Sequence, residues 1–367
     1  MRCLSSAALM GIALSVLTSF AAASNNCQVL NGNTFCKEVN QILYENIGAG
    51  GLSYDDVVKM DKEGCVCKKE PKTYSGKMAP LDEQLSIHFR GPLALKQFAV
   101  YYPGGSPTKT KRHHHRHYAR TTHGPHCKRS GYTRAAYYNA DSGIAQGLVF
   151  MNHKGGDGSG VWDTCWGNSL AYSDSQCSKG VSTPEVLAPI TVPSDTEFVI
   201  FSDQECDESC GTWRPGTPAH KGFDGKDKVF LFEFVMPSDG SGGNNGDMPS
   251  IWALNAKIPR TSQYSDCSCW GSGCGEFDMF EVLEGGKDFV KSHFHAAQGG
   301  TANKGGGGSP DFIARPYDKP VKAAVIFDGS GTVDIKMLDD DVDFGGVLDS
   351  RVLNLRHEAV SKFVVPS

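Results

Sequence analysis

The stretch GCGEFDMFEVLEGG, residues 273–286, sets three carboxylates, Glu276, Asp278 and Glu281, inside an apolar run. Phe277, Met279, Phe280, Val282 and Leu283 read as a strand packed on both faces. Burying a lone charge costs several kcal/mol, so such acids face either solvent or a cleft where they do chemistry. Side chains alternate along a strand, which puts Glu276 and Asp278 on one face. Glu281 falls on the other unless one β-bulge adds a residue between them. With that bulge, three acids line one side while Phe277 and Phe280 pack on the other.

Short β-type runs continue outward from this strand. They include GIAQGLVFM, TEFVIFSD, KVFLFEFVMP, KSHFHAA, KAAVIFDG and GTVDIKML, separated by Gly, Asn and Asp turns. Helical periodicity is scarce; GLSYDDVVKM is a short candidate helix. The expected fold is all-β, an antiparallel, jelly-roll-like β-sandwich with a concave cleft suited to an extended polymer. A small, disulfide-linked, β-rich N-terminal domain precedes it.

The organisation expected is a signal peptide at 1–23, a cysteine-containing unit at 24–104, a basic His-rich linker at 105–130 and the sandwich at 131–367. The signal rests on Arg2, the apolar run from Ala8 and the small residues Ala21–Ala23. Without Cys3, twelve of the thirteen cysteines remain, an even number that fits disulfides in an oxidising compartment. They fall into four (Cys27, Cys36, Cys65, Cys67) and eight, as if each unit were cross-linked separately. The chain carries a formal charge of −5, or −6 without Arg2, which argues against bulk nucleic-acid binding. The segment KTKRHHHRHYARTTHGPHCKR reads as a solvated linker with a weak attraction for anionic wall polymers. Its His113, His114, His115 and His117 lack the packed surroundings that a stable metal site needs. The expectation is therefore a secreted, extracellular monomer, with no membrane span after signal removal, no metal and no cofactor.

Three crowded carboxylates cannot all ionise at ordinary cost, so their pKa values must separate. Glycoside hydrolysis needs that separation: one carboxylate attacks the anomeric carbon and another, protonated, donates to the leaving oxygen. Retaining enzymes hold the two roughly 5–5.5 Å apart. A non-catalytic glucan-binding or structural wall protein with a lectin-like groove is the second reading, and a His/Cys metal protein the third. Trp252 and Trp270 are candidate sugar platforms, because an indole stacks on the apolar face of a pyranose. His293 and His295 share a face of a predicted strand and are candidates to bind substrate or tune the acid. Glu233, alternating with Phe232 and Phe234, is placed on the cleft side.

GEFDMFE resembles the bulged Glu-x-Asp-x-x-Glu signature of glycoside hydrolase family 16, the laminarinase-like β-glucanases. DMPSIWAL resembles that family's Trp-Pro-Ala-x-Trp segment, with Met248 in place of the first Trp and Trp252 matching the second. The N-terminal cysteine unit, CSCWGSGCGEFDMFEVLE and the overall order are similar to the Target-of-SBF-like cell-wall proteins of fungi. The resemblance spans nearly the whole mature chain. It implies a retaining endo-β-1,3-glucanase acting on cell-wall β-glucan, with Glu276 as nucleophile, Glu281 as acid/base and Asp278 as the assisting carboxylate. A β-glucan transglycosylase would use the same site.

Overall fold

The computed structural model describes residues 27–104, 131–298 and 307–367. The proposed signal peptide and the His-rich segment lie outside the described residues. Two large sheets face each other. The ten-stranded sheet runs from Gly180–Val181 through Ala171–Ser173, Leu148–Asn152, Glu197–Ser202, Leu85–Arg90, Ser250–Asn255 and Glu276–Val282 to Phe289–His295 and Gly307–Gly308. Ile313–Ala314 also pairs with Phe289–His295. The eight-stranded sheet runs Val360–Val364, Gln41–Glu45, Thr332–Leu338, Val321–Asp328, Lys228–Val235, Ala94–Pro103, Tyr132–Asn139, Ile144–Gln146. Pairing is antiparallel except between Val360–Val364 and Gln41–Glu45.

Alternation explains the core. Phe230, Phe232 and Phe234 point from one sheet at Phe89, Phe277 and Phe280 from the other, and all are buried. Phe89 stacks on Phe198 at 4.6 Å, and Phe234 meets Phe280 at 5.1 Å. Such pairs add about 0.5–1.5 kcal/mol each beyond the area they bury. The alternate positions Val229 and Leu231 face the other side of their sheet, where they form a second apolar cluster with Ala324, Ile326 and Phe344.

Residues 27–104 are β-rich and disulfide-linked, but their strands enter the sandwich instead of standing beside it. Leu85–Arg90 lies between Glu197–Ser202 and Ser250–Asn255, while Gln41–Glu45 and Ala94–Pro103 are interior to the other sheet. The division at 105–130 is thus not a division between sheets. The separate cross-linking expected from the four-and-eight split is corrected for the same reason. Cys65 bonds Cys165 and Cys67 bonds Cys267, joining the N-terminal part to the rest, whereas Cys27–Cys36, Cys206–Cys210 and Cys269–Cys274 close local loops.

GLSYDDVVKM is a strand, not a helix. It lies in Gly51–Asp61, which forms a long hairpin with Val66–Ser75. A register shift between Val57 and Lys59 lets Val57 and Met60, three apart, face the same way against Cys267. The helix-like spacing is produced by that bulge.

Candidate active site

The Glu276–Val282 strand carries the expected bulge. Asp278 pairs with His293 and Glu281 with Lys291, three residues against two. The neighbour on the other side shifts in the same place, between Ile251 and Trp252. Phe277, Met279 and Phe280 enter the core, while all three acids share the outer, concave face. The turn into the strand is tight: Gly273 has φ +89°, and a Cβ there would sit 2.3 Å from the Ala297 amide nitrogen. The Cys269–Cys274 disulfide closes the loop just before it.

Glu276 is 8 % exposed and is held at both oxygens. Trp270 Nε1 donates to Oε2 at 2.5 Å and the Tyr264 hydroxyl approaches Oε1 at 3.4 Å. Trp252 Nε1 in turn donates to the Tyr264 hydroxyl at 2.8 Å. Asp278 Oδ2 lies 3.0 Å from His295 Nε2. Glu281 meets Arg90, whose Nη2 is 3.2 Å from Oε1 and whose Nε donates to the Met248 carbonyl. Arg90 also lies over the Trp252 ring.

Burial, then the charge of Asp278, pushes Glu276 well above the ordinary carboxylate range, against the Trp270 hydrogen bond. The same two causes raise Glu281, opposed by Arg90. Burial alone would lower His295, but its bond to Asp278 and the surrounding acids lift it to about 9, so it is a cation at neutral pH. His293, with burial dominant, falls to about 4 and is neutral.

The cleft has two wings. One, about 270 Å³, is lined by Arg90, Glu197, Trp252, Tyr264, Trp270 and the three acids. The other, about 410 Å³, contains Glu281, His293, His295 and Lys291, the turn Gly308–Pro310 and the hairpin tip Gly32–Thr34. Glu281 borders both. Donor atoms of Asp278, Glu281 and His293 lie within 4.8 Å of one another, so a divalent cation could approach there.

The structure thus brings together Glu276, Asp278, Glu281, Trp252, Trp270, His293 and His295. Glu233 is not among them. It sits on the eight-stranded sheet, bonded to Gln97 Nε2 at 2.5 Å, because its flanking phenylalanines take the inner face and turn it away from the cleft. Sequence reasoning missed Arg90, Tyr264 and Glu197. Arg90 shares a strand face with buried His88 in LSIHFR, and Glu197 pairs with Arg90 in register. Burial raises Glu197 while Arg90 opposes the shift. A demand for a counter-charge near three acids was the signal for Arg90; Tyr264, in an irregular loop, had none.

Comparison with known proteins places this chain in a family. The model of "Cell wall protein YJL171C/Tos1, C-terminal" matches residues 130–355 and the corresponding N-terminal model matches residues 40–103. A Candida albicans protein named "Probable circularly permuted 1,3-beta-glucanase TOS1" is 36% identical, over 93% of this chain and 95% of its own. A Saccharomyces cerevisiae protein of the same name is 35% identical over 96% of both chains. A second one from that yeast, named "Probable circularly permuted 1,3-beta-glucanase YJL171C", is 38% identical over 85% of this chain and 78% of its own. No solved structure matches the chain. No helix among the described residues is long and apolar enough to cross a membrane. By its coverage and identity, the chain belongs to the Tos1/YJL171C family of cell wall proteins.

Proposed function

We propose that the protein is a secreted retaining glycoside hydrolase that cleaves cell-wall β-glucan internally, at β-1,3 linkages. The observation that carries this reading is the bulged acid strand. It sets Glu276 between two neutral donors and Glu281 at the junction of two cleft wings. The names of the relatives supply the glucan linkage.

Glu276 is the nucleophile. Trp270 and Tyr264 orient its oxygens and favour its anion, and burial keeps Tyr264 a proton donor by raising its pKa. A carboxylate oxygen attacks the anomeric carbon as the glycosidic C–O bond breaks. Glu281 gives its proton to the departing oxygen. In the second step Glu281 takes a proton from water, the water oxygen bonds the anomeric carbon, and Glu276 is released. A sugar hydroxyl in place of water makes the same steps a transglycosylation. Glu281 suits the acid/base role because its side chain is 17% exposed and reachable from both wings. Burial and the charge of Asp278 raise both Glu276 and Glu281, so the crowded site favours holding a proton. The reaction needs that proton on Glu281 when a leaving oxygen arrives. Asp278, bonded to His295 and lying between the two on the same face, is the assisting carboxylate.

The test is product analysis on β-1,3-glucan oligosaccharides, comparing the protein with Glu276→Gln and Glu281→Gln. Turnover with retained anomeric configuration, lost in both variants, is expected. Products longer than the substrate identify the transglycosylase. Binding without turnover on any β-glucan, unchanged in Glu276→Gln, would replace the enzyme with a glucan-binding protein.

A further inference from the structure

The larger wing of the cleft is walled by a part of the chain far from the acid strand. The hairpin of Gln28–Leu30 and Asn33–Phe35 is closed at its base by Cys27–Cys36. It is docked deliberately. Lys291, 2% exposed and in register with Glu281, spends its ammonium on the carbonyls of Thr34, Ser309 and Asp311. Phe35 packs on Phe289 at 4.8 Å, the Cys36 amide donates to the Pro310 carbonyl, and Asn31 bonds Glu284. The floor beside it lies flat on His293, since a Cβ at Gly308 would come within 2.3 Å of that ring.

The two wings differ in chemistry. Trp252, Trp270 and Tyr264 line the one that contains Glu276. Among the described residues the hairpin wing has no aromatic ring other than its two histidines, and it touches Glu281 but not Glu276. A leaving group must sit beside the acid and away from the nucleophile. The hairpin wing therefore faces the departing part of the chain, and the aromatic wing the part that becomes attached.

We propose that the disulfide-closed hairpin Cys27–Cys36 forms the wall of the subsite for the leaving portion of a β-glucan chain, with Asn33 and Thr34 facing its sugar hydroxyls. The inference rests on the hydrolase reading for its choice of ligand. Without stacking platforms, this wing holds sugar by hydrogen bonds alone, which favours product release over retention.

The experiment uses the full, oxidised protein and two variants, Asn33→Met, which fills the wing without a ring, and Asn33→Ala, which only removes an amide. In a Glu276→Gln background, Asn33→Met should weaken binding of a β-1,3-linked hexasaccharide about tenfold more than that of a disaccharide, which prefers the rings. Asn33→Ala should shift the same ratio by about two- to tenfold. With Glu276 intact, hexasaccharide cleavage should fall about tenfold more than turnover of a disaccharyl fluoride, whose small leaving group needs no wall. Equal loss for long and short ligands, or no loss in either variant, would overturn the proposal. Absence of turnover in the unsubstituted protein, with the binding split present, would sink the hydrolase reading and leave the wall standing.

Discussion

Replacing Trp270 by Phe isolates one contact of the proposed nucleophile. The ring face against Tyr264, at 5.0 Å between centroids, is largely kept, while the 2.5 Å donor to Glu276 Oε2 is lost. That bond favours the ionised carboxylate in a site where burial and Asp278 both oppose ionisation. A hydrogen bond to a charged group contributes about 1.5–3 kcal/mol. At 1.36 kcal/mol per unit, its loss raises the Glu276 pKa by about 1–2 units. The nucleophile must be ionised, so the acid limb of kcat/KM moves to higher pH by that amount. On the acid side of the limb activity falls by about 10- to 100-fold, with a smaller change at the plateau. The assay is the pH profile of kcat/KM on a soluble β-1,3-glucan oligosaccharide, with circular dichroism to establish folding. An acid limb that stays in place in a folded Trp270→Phe protein would refute the reasoning.

Arg90→Met removes the cation that opposes protonation of Glu281, so the alkaline limb of the same profile should move to higher pH; a downward shift would contradict the acid role. His295 is raised to about 9 in the fold against about 6.5 unfolded, so its stabilisation is fully present below pH 6.5 and is lost as pH rises through 9. Denaturant unfolding should find the protein more stable than His295→Gln by up to about 3 kcal/mol near pH 6, with the gap closing by pH 9.5. The Cys67–Cys267 bond closes a separation of 200 residues and ties the Gly51–Asp61 hairpin to the loop that carries Trp270. Cys67→Ser with Cys267→Ser should cost about 2–4 kcal/mol in thermal or denaturant unfolding and lower kcat/KM more than KM alone explains.

The acid strand was legible because its parity is anomalous. Glu276 and Asp278 agree on a face and Glu281 does not, while Phe277 and Phe280 demand the core, and only a bulge reconciles them. Trp270 and Trp252 were legible as neighbours in sequence. The same parity argument failed for Glu233, since alternation gives a face but not which of two sheets carries the cleft. It failed again at Val57 and Met60, where a bulge imitates a helical period. Arg90, Glu197 and Tyr264 reach the site from strands and loops between 12 and 191 residues away from the carboxylates they touch or neighbour, and such pairings are set by sheet order. Disulfide connectivity hid for the same reason. Cys65 and Cys67 are two apart yet bond partners in different loops, because the hairpin bearing them packs against both the Trp166 loop and Cys267.

The most direct test of the central claim is covalent trapping. A 2-deoxy-2-fluoro β-1,3-linked disaccharyl fluoride slows release of the intermediate more than its formation, and mass spectrometry of the digested protein locates the label. The account predicts one disaccharyl unit per chain on the peptide containing Glu276, and none in Glu276→Gln. Label on Glu281, or turnover of glucan with inverted configuration and no adduct, would contradict it.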